Sequence, residues 1–536
     1  MAGQNWWRGA VIYQIYPRSF LDTNGDGVGD LPGILARLDY VASLGVDAIW
    51  ISPFFTSPMA DFGYDIADFR GVDPLFGTLA DFDRVLEKAH ALGLKVMIDQ
   101  VLSHCSVDHP WFQESRQDRD NAKADWFVWA DARPDGTPPN NWLSIFGGVA
   151  WTWEPRRGQY YLHNFLSSQP QLNFHNPEVR AAQLDNLKFW LDRGVDGFRL
   201  DSINFPFHDA RLRDNPPKPA HLRTGRGFSA DNPYAFQYHY YNNTQPENLA
   251  LLEDVRALLD RYPDAGALGE ISSEDSLATT AEYCTPQRLH MGYSFELLTT
   301  DCSPAYIRAT VEALEAKITE GWPCWAISNH DVQRAVTRWG GGDDAAMARQ
   351  LLALVCSLRG SVCLYQGEEL GLPEAEVPFE ALQDPYGKAF WPNFKGRDGC
   401  RTPMPWTAAD DAGFSSAVPW LPVPPSHRAL SVEAQERDPA SVLHAARAFL
   451  RWRRQQPALV QGTIRFLDAP AQVLALVREH AGQRLLLAFN LSAQACDWTL
   501  PAPATLLDVP GLPTPAVEAD VLRLPPRGVA CAVLAD

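Results

Sequence analysis

The sequence predicts an α/β fold: a (β/α)8 barrel with a small domain inserted after its third strand and an antiparallel β domain at its C-terminal end. Three observations predict it. About eight short apolar runs alternate with helical or irregular sequence, the rhythm of a parallel sheet built from right-handed crossovers. That rhythm stops once, between residues 105 and 173, for longer than a plain loop lasts. Beyond residue 457 it gives way to short alternating strands.

The first run is AVIYQIY, residues 10–16. It is followed by DTNGDGVGD, residues 22–30, where Asp22, Asn24, Asp26 and Asp30 carry oxygen and Gly27 permits a turn. This is the first part of a calcium loop without the distal bidentate Glu of an EF-hand, and an Asx/Gly turn explains the same letters. From Asp30 the period becomes helical, with Ile34, Leu38, Val41 and Leu44 on one face and Gly45 as the stop. VDAIWISP is the second strand. Thr78 and Asp81 cap a helix carrying Phe82, Val85, Ala89 and Leu92, which Gly93 ends. The third strand is LKVMIDQVLSH, bearing Asp99 and His104.

The inserted stretch is rich in rings: Trp126, Trp129, Trp142, Trp151, Trp153, Tyr160 and Tyr161. Such rings stack on sugars as readily as they fill an irregular core, and core filling is the first expectation. The rhythm resumes with a helix over residues 178–193 and the strand VDGFRLD at 195–201. A polar, proline-containing excursion (208–245) and a helix (249–259) lead to AGALGEIS, GYSFELL, WPCWAISNHD and SVCLYQGEELG, completing the barrel count. The run RWRR, residues 451–454, reads as a helix face. TIRFL, VLALVRE, RLLLAFNLS, ACDWTL and GVACAVLAD then alternate as a small β-sandwich. The expected division is 1–104 and 174–456 for the barrel, 105–173 for the insert and 457–536 for the β domain.

Composition narrows the partners. With 536 residues, 46% hydrophobic, the chain builds a large core, and a net charge of −19 argues against sequence-independent binding to nucleic acid or an anionic membrane. Nine scattered cysteines, an odd number without metal-type spacing, read as reduced thiols and favour the cytoplasm. The start, MAGQNWWRGAVIYQIYPRSF, lacks a basic head and apolar h-region, and no run spans a bilayer. Oligomeric state is not encoded legibly.

In a barrel of this kind the strand C-termini form the active mouth, so Asp99, Asp201, Glu270 and Asp331 converge there. Arg199 and Asp201 lie two apart on one strand and point the same way, so the guanidinium keeps Asp201 ionised, as suits a nucleophile. Glu270, flanked by Leu268, Gly269 and Ile271, has no basic sequence neighbour and keeps its proton. An anionic nucleophile opposite a protonated acid cleaves glycosidic bonds, with retention when the carboxyl groups stand about 5–5.5 Å apart.

Four stretches in order and at barrel spacing, IDQVLSH, GFRLD, GE (269–270) and SNHD (328–331), resemble the signature regions of the α-amylase superfamily, glycoside hydrolase family thirteen. The resemblance covers essentially the whole chain. One departure is Ser103, where the family usually has Asn before the His, which weakens a metal bridge to the inserted domain. The resemblance implies that Asp201 forms a β-glucosyl-enzyme, that Glu270 is the acid/base, and that Asp331 grips hydroxyls and stabilises the transition state. It also implies that His104, Arg199 and His330 hydrogen-bond around the reacting ring.

DTNGDGVGD resembles the first-loop calcium site of the α-glucosidase and oligo-1,6-glucosidase branch. That implies a structural Ca2+ (or Mg2+) on Asp22, Asn24, Asp26, the Val28 carbonyl and Asp30, and no organic cofactor. FGYDIADF and GRDGCRTPMPW resemble the branch motifs whose Asp and Arg, here Asp65 and Arg401, bind the terminal glucose and close the pocket. Tyr64, Phe146 and Phe165 match its aromatic walls. After the nucleophile a Val accompanies α-1,6 linkages in this branch and a small residue α-1,4; Ser202 implies α-1,4. The expected protein is therefore a retaining exo-acting α-glucosidase on maltose-like substrates, with transglucosylation to alcohol or sugar acceptors. Sucrose hydrolases, isomaltulose and trehalose synthases and oligo-1,6-glucosidases share almost every residue named. A non-catalytic transporter-subunit relative would need a membrane anchor and would lose acids of the triad.

Overall fold

Eight parallel strands of the computed structural model, which describes residues 5–223, 231–342 and 344–534, close into one barrel. They are β1 (Val11–Ile15), β2 (Ala48–Ile51), β3 (Lys95–Val101), β4 (Gly197–Asp201), β5 (Gly266–Ile271), β6 (Met291–Ser294), β7 (Trp322–Trp325) and β8 (Ser361–Tyr365). Each pairs with its neighbour in sequence, and β8 closes on β1. Nearly every strand residue is buried, as continuous apolar runs require when both sheet faces are covered.

Helices follow where the apolar period changes. The helix α1 (Leu31–Ser43) starts at Asp30, whose side chain accepts from the Gly33 N–H, and buries Ile34, Leu38 and Val41. The helix α2 (Leu79–Ala91) opens on the reciprocal Thr78/Asp81 capping box. Gly45 and Gly93 stand just beyond these helices at φ +87° and +79°, a left-handed turn that glycine adopts without cost. The helix α3 (Pro177–Arg193) feeds β4 through Gly194 in the same way.

Two strand ends depart from expectation. The run WPCWAISNHD predicts one strand ending in Asp331, but pairing stops with Trp325 opposite Val362. Beyond it the chain turns, and the Asp331 N–H donates to Asn329 Oδ1 at 2.9 Å. Likewise β3 ends at Val101, and His104 sits past it in an isolated bridge to Gln171.

Between β3 and β4 lies a three-stranded sheet of Trp129–Ala130, Trp151–Glu154 and Gln159–Leu162. Trp142 and Trp151 pack with Val128, Ala130, Ala150 and Leu162 as its core, whereas Trp153 is 44% exposed. After β8 and the helix Val442–Arg454 come antiparallel sheets of five and three strands packed over their own core. The basic run belongs to that helix: Arg453 is buried and donates to the Cys356 and Gly9 carbonyls. Arg451 and Arg454 donate to carbonyls of Ser43, Gly45 and Val46. The nine cysteines are free thiols, eight of them buried. Among the described residues no helix is long and apolar enough to cross a membrane.

Candidate active site

One buried cation organises the strand ends. Arg199, inside the barrel on β4, donates from Nη1 to Asp99 Oδ1 (2.9 Å) and Asp201 Oδ1 (2.5 Å). Its Nη2 donates to Glu270 Oε1 and, at 3.1 Å, to the Tyr293 hydroxyl. Registry makes this possible, because Asp99 lies opposite Arg199 across β3 and β4, and Glu270 opposite Tyr293 across β5 and β6. Glu270 has no basic neighbour in sequence, yet Arg199 reaches it from the adjacent strand, which linear spacing cannot reveal.

Burial pushes the Asp201 and Glu270 carboxyls up to about 7, against the pull of Arg199, which corrects the expectation that Arg199 alone keeps Asp201 ionised. They titrate as a pair beside a third buried acid, so one proton shared between them is the natural state near neutrality. Asp99 stands behind: Trp50 Nε1 and the Tyr64 hydroxyl each donate to it at 3.0 Å, and it does not line the cavity.

Asp331 is different. Burial opposes its ionisation, but His330, Arg397 and Arg401 together hold its carboxyl well below the usual range. Arg401 Nη2 and Arg397 Nη1 donate to its Oδ1 at 2.9 and 3.3 Å. Burial keeps His330 neutral; Gln14 Nε2 donates to its Nδ1 at 2.7 Å, so the ring proton sits on Nε2, 3.4 Å from Asp331 Oδ2. The ring stacks on Tyr64 (5.2 Å between centroids, 2° between planes) and Tyr16 (5.6 Å, 20°). His104 is lowered by burial to about 4, with Ser103 Oγ 3.0 Å from its Nδ1 and the Tyr64 carbonyl 3.1 Å from its Nε2. Ser103, the departure from the family pattern, thus orients His104.

These groups share one cavity, with about 750 Å³ of empty space counting its mouth. Asp201, Glu270, Asp331, His104, His330, Tyr64, Phe146 and Phe165 all line it. None of its lining residues is a tryptophan. Asp65 and Arg401 are not among them, which corrects two of the expected glucose ligands. Asp65 is fully buried and accepts from the N–H groups of Ala60 (2.8 Å) and Asp61 (3.0 Å) and from Ser57 Oγ (3.0 Å), tying off the turn beneath the cavity. Arg401 lies behind Asp331.

Asp61, directly before the first motif and four residues ahead of Asp65, and Arg397, four residues ahead of Arg401 inside the second, stand at the cavity instead. Phe62 and Gly63, at φ +52° and +107°, reverse the chain between the two aspartates, so Asp61 faces the cavity while Asp65 faces the turn. Arg397 pairs with Asp61 at 2.8 Å and with Asp384 at 2.9 and 3.1 Å, and lies 4.9 Å over the Phe146 ring. A signal for both was present: an acid directly before FGYDIADF and a second Arg inside GRDGCRTPMPW.

The 22–30 loop is closed by hydrogen bonds. Asp22 accepts from the N–H groups of Asn24 (3.0 Å), Gly25 (2.8 Å) and Gly27 (2.8 Å) and from Ser415 Oγ (2.5 Å). Asp26 accepts from Val28 N–H at 2.8 Å, and Asp30 from the N–H groups of Thr23 at 2.9 Å and Gly33 at 2.6 Å. Among the described residues no three His, Cys, Asp or Glu side chains converge to hold a metal ion.

Three acids, two neutral imidazoles and aromatic walls gathered at the C-terminal mouth of a (β/α)8 barrel define a glycoside-cleaving barrel enzyme. Residues 14–462 match the alpha-amylase catalytic domain, and the chain belongs to that family. It is 57% identical to a probable alpha-glucosidase of Rhizobium meliloti (strain 1021), over 93% of this chain and 91% of that one. An oligo-1,6-glucosidase of Parageobacillus thermoglucosidasius is 36% identical over 92% of each chain. Among solved structures, an alpha-glucosyl transfer enzyme superposes with a TM-score of 0.98 at 72% identity, over 99% of both chains. The trehalulose synthase MutB of Pseudomonas mesoacidophila MX-45 gives 0.90 at 32% identity, over 99% of this chain and 100% of that one.

Proposed function

We propose that the protein is a retaining, exo-acting α-glucosidase that removes terminal glucose from small α-glucosides and passes it to water or an alcohol. The observation that carries this is the single guanidinium of Arg199 bridging Asp201 and Glu270. One planar group spanning both carboxylates favours the short separation of retaining enzymes, with no gap for a water between acid and base.

In this reading Asp201 Oδ1 is tethered to Arg199, while Oδ2, which makes no protein hydrogen bond among the described residues, attacks the anomeric carbon. Glu270 protonates the leaving oxygen as that bond breaks. It then takes a proton from the incoming water or alcohol, whose oxygen displaces Asp201 and restores the α-configuration. Asp331, held anionic, and His330 Nε2–H bind sugar hydroxyls and favour the oxocarbenium-like transition state. The Asp61–Arg397 pair takes the role assigned earlier to Asp65 and Arg401, binding the terminal glucose.

Ser202 supports α-1,4 preference: its small side chain lies beside the acid, and its N–H donates to Glu270 Oε2 at 3.1 Å. The names of the relatives support glucosidase action, and that of the transfer enzyme supports glucosyl transfer. For the 22–30 loop the proposal is a structural divalent cation. Its Asp and Asn side chains and the Val28 carbonyl offer oxygen only, the donor set of calcium, and carboxylates that accept N–H bonds retain spare lone pairs. Free thiols favour a cytoplasmic setting.

The test is turnover of maltose, isomaltose and sucrose side by side with product analysis. Maltose should be preferred, with α-glucose and transfer products released. Isomaltose cleaved far better than maltose overturns the linkage, and isomerised sucrose as main product overturns the hydrolase reading. Glu270→Gln should lose maltose cleavage far more than p-nitrophenyl α-glucoside cleavage; equal losses remove its acid role.

A further inference from the structure

We propose that Tyr293 is a positioning residue that confines the Glu270 proton to Oε2, the oxygen away from the Arg199 fork. Strand registry puts the two residues side by side, Glu270 on β5 opposite Tyr293 on β6. The Tyr293 hydroxyl donates to Glu270 Oε1 at 2.8 Å and accepts from Arg199 Nη2 at 3.1 Å. Because Arg199 Nη2 also donates to Oε1, that oxygen faces two donors in a closed triangle. All three side chains are buried.

A carboxylic acid carries its proton on either oxygen unless its surroundings choose. Oε1 cannot take it here, because an O–H there would point at two N–H and O–H donors. Oε2 meets the Ser202 N–H at 3.1 Å and, at 3.5 Å, the Ser202 hydroxyl, which can turn to accept from an O–H, and it keeps a lone pair. The protonated acid therefore has its C=O at Oε1 and its O–H at Oε2. Burial raises the Tyr293 hydroxyl well above its ordinary range, so it remains a donor throughout the working range. The other groups facing Glu270 are Arg199 and Asp201 from β4 and Asp331 beyond β7, with Asp99 of β3 behind Arg199.

The sign of the effect follows. The Tyr293 donor favours ionised Glu270, so its loss makes the residue a weaker acid and stronger base. Glucosylation needs the acid protonated, and kcat/KM falls as pH rises through its pKa. In Tyr293→Phe, which keeps the ring, the alkaline limb of kcat/KM should move up by about one pH unit. At neutral pH the larger protonated fraction offsets part of the lost acidity, so kcat/KM for maltose should fall about two- to fivefold, and for p-nitrophenyl α-glucoside, whose leaving group needs little protonation, it should not fall. 3-Fluorotyrosine introduced at Tyr293, a stronger donor of nearly the same shape, should move the limb to lower pH.

Opposite shifts in the two variants establish the role. A limb that moves in neither, or equal losses on both substrates with the limb in place, would reduce Tyr293 to packing and overturn the inference. The inference rests on Glu270 being the acid, and the two fail separately. Equal losses in Glu270→Gln remove the acid, whereas selective loss there with an unmoved limb in both Tyr293 variants removes only the present inference.

Discussion

Two aspartates four residues apart provide a sharp test of which side chains hold the glucose. Asp61 faces the cavity and pairs with Arg397, whereas Asp65 is locked into the turn by two backbone N–H groups and a hydroxyl. In Asp61→Asn, Arg397 keeps both bonds to Asp384 and the amide oxygen can stay on Arg397, while the NH2 faces Gln169 Nε2, which donated to Asp61 Oδ2 at 3.0 Å, so one buried contact is lost. Lost with it is charge-assisted hydrogen bonding to a sugar hydroxyl, worth about 1.5–3 kcal/mol, or about 10- to 150-fold in kcat/KM. In Asp65→Asn the amide offers one acceptor oxygen and an NH2 to a site built of donors. One buried N–H goes unpaired, at a cost of about 1–3 kcal/mol of stability. The assay is kcat/KM on maltose and Tm for both variants at neutral pH. Asp61→Asn should lose activity with a Tm drop no larger than that of Asp65→Asn, and Asp65→Asn should lower Tm and keep most activity once folded. The reverse pattern, activity lost in Asp65→Asn with Tm intact, would restore the motif-based assignment and refute the geometric one.

Other outcomes follow from the same site. The Asp201–Glu270 pair, raised by burial to about 7, is productive with one proton, so kcat/KM should be bell-shaped. It should fall at low pH as the pair gains a second proton and fall on the alkaline side above neutrality; a profile flat between about pH 5 and 9 contradicts the pairing. Arg199→Lys replaces a planar fork with a point charge that cannot bridge three buried carboxylates, and should cost more than about 100-fold in kcat/KM; a loss under about tenfold contradicts the bridge. Treatment with EDTA should lower Tm, calcium should restore it, and Asp26→Ala should abolish the response. An unchanged Tm leaves the 22–30 loop closed by its own hydrogen bonds.

Much of this was legible in sequence, for physical reasons. Strands buried on both faces read as unbroken apolar runs, so the barrel was visible, and Thr78 with Asp81 announced a helix start that forms as a reciprocal cap. Parallel registry makes strand-end acids converge, which is why Asp201 and Glu270 meet in one cavity. The misreadings concern contacts between elements. Arg199 serves Glu270 as well as Asp201 because β4 and β5 are neighbours, a relation absent from local spacing. Asp331 reaches the site from a turn six residues beyond β7. The choice between Asp61 and Asp65 depended on backbone reversal at Phe62 and Gly63, and φ at a non-glycine is not written in composition.

The most direct measurement is to trap the covalent intermediate with a slow-turnover fluorinated α-glucosyl donor and to locate the label by peptide mass spectrometry. One glucosyl adduct on the Asp201 carboxylate, with α-anomer as first product from an unlabelled substrate, is the predicted result. A label on Glu270 or Asp331, or inverted product with no adduct, would contradict the account.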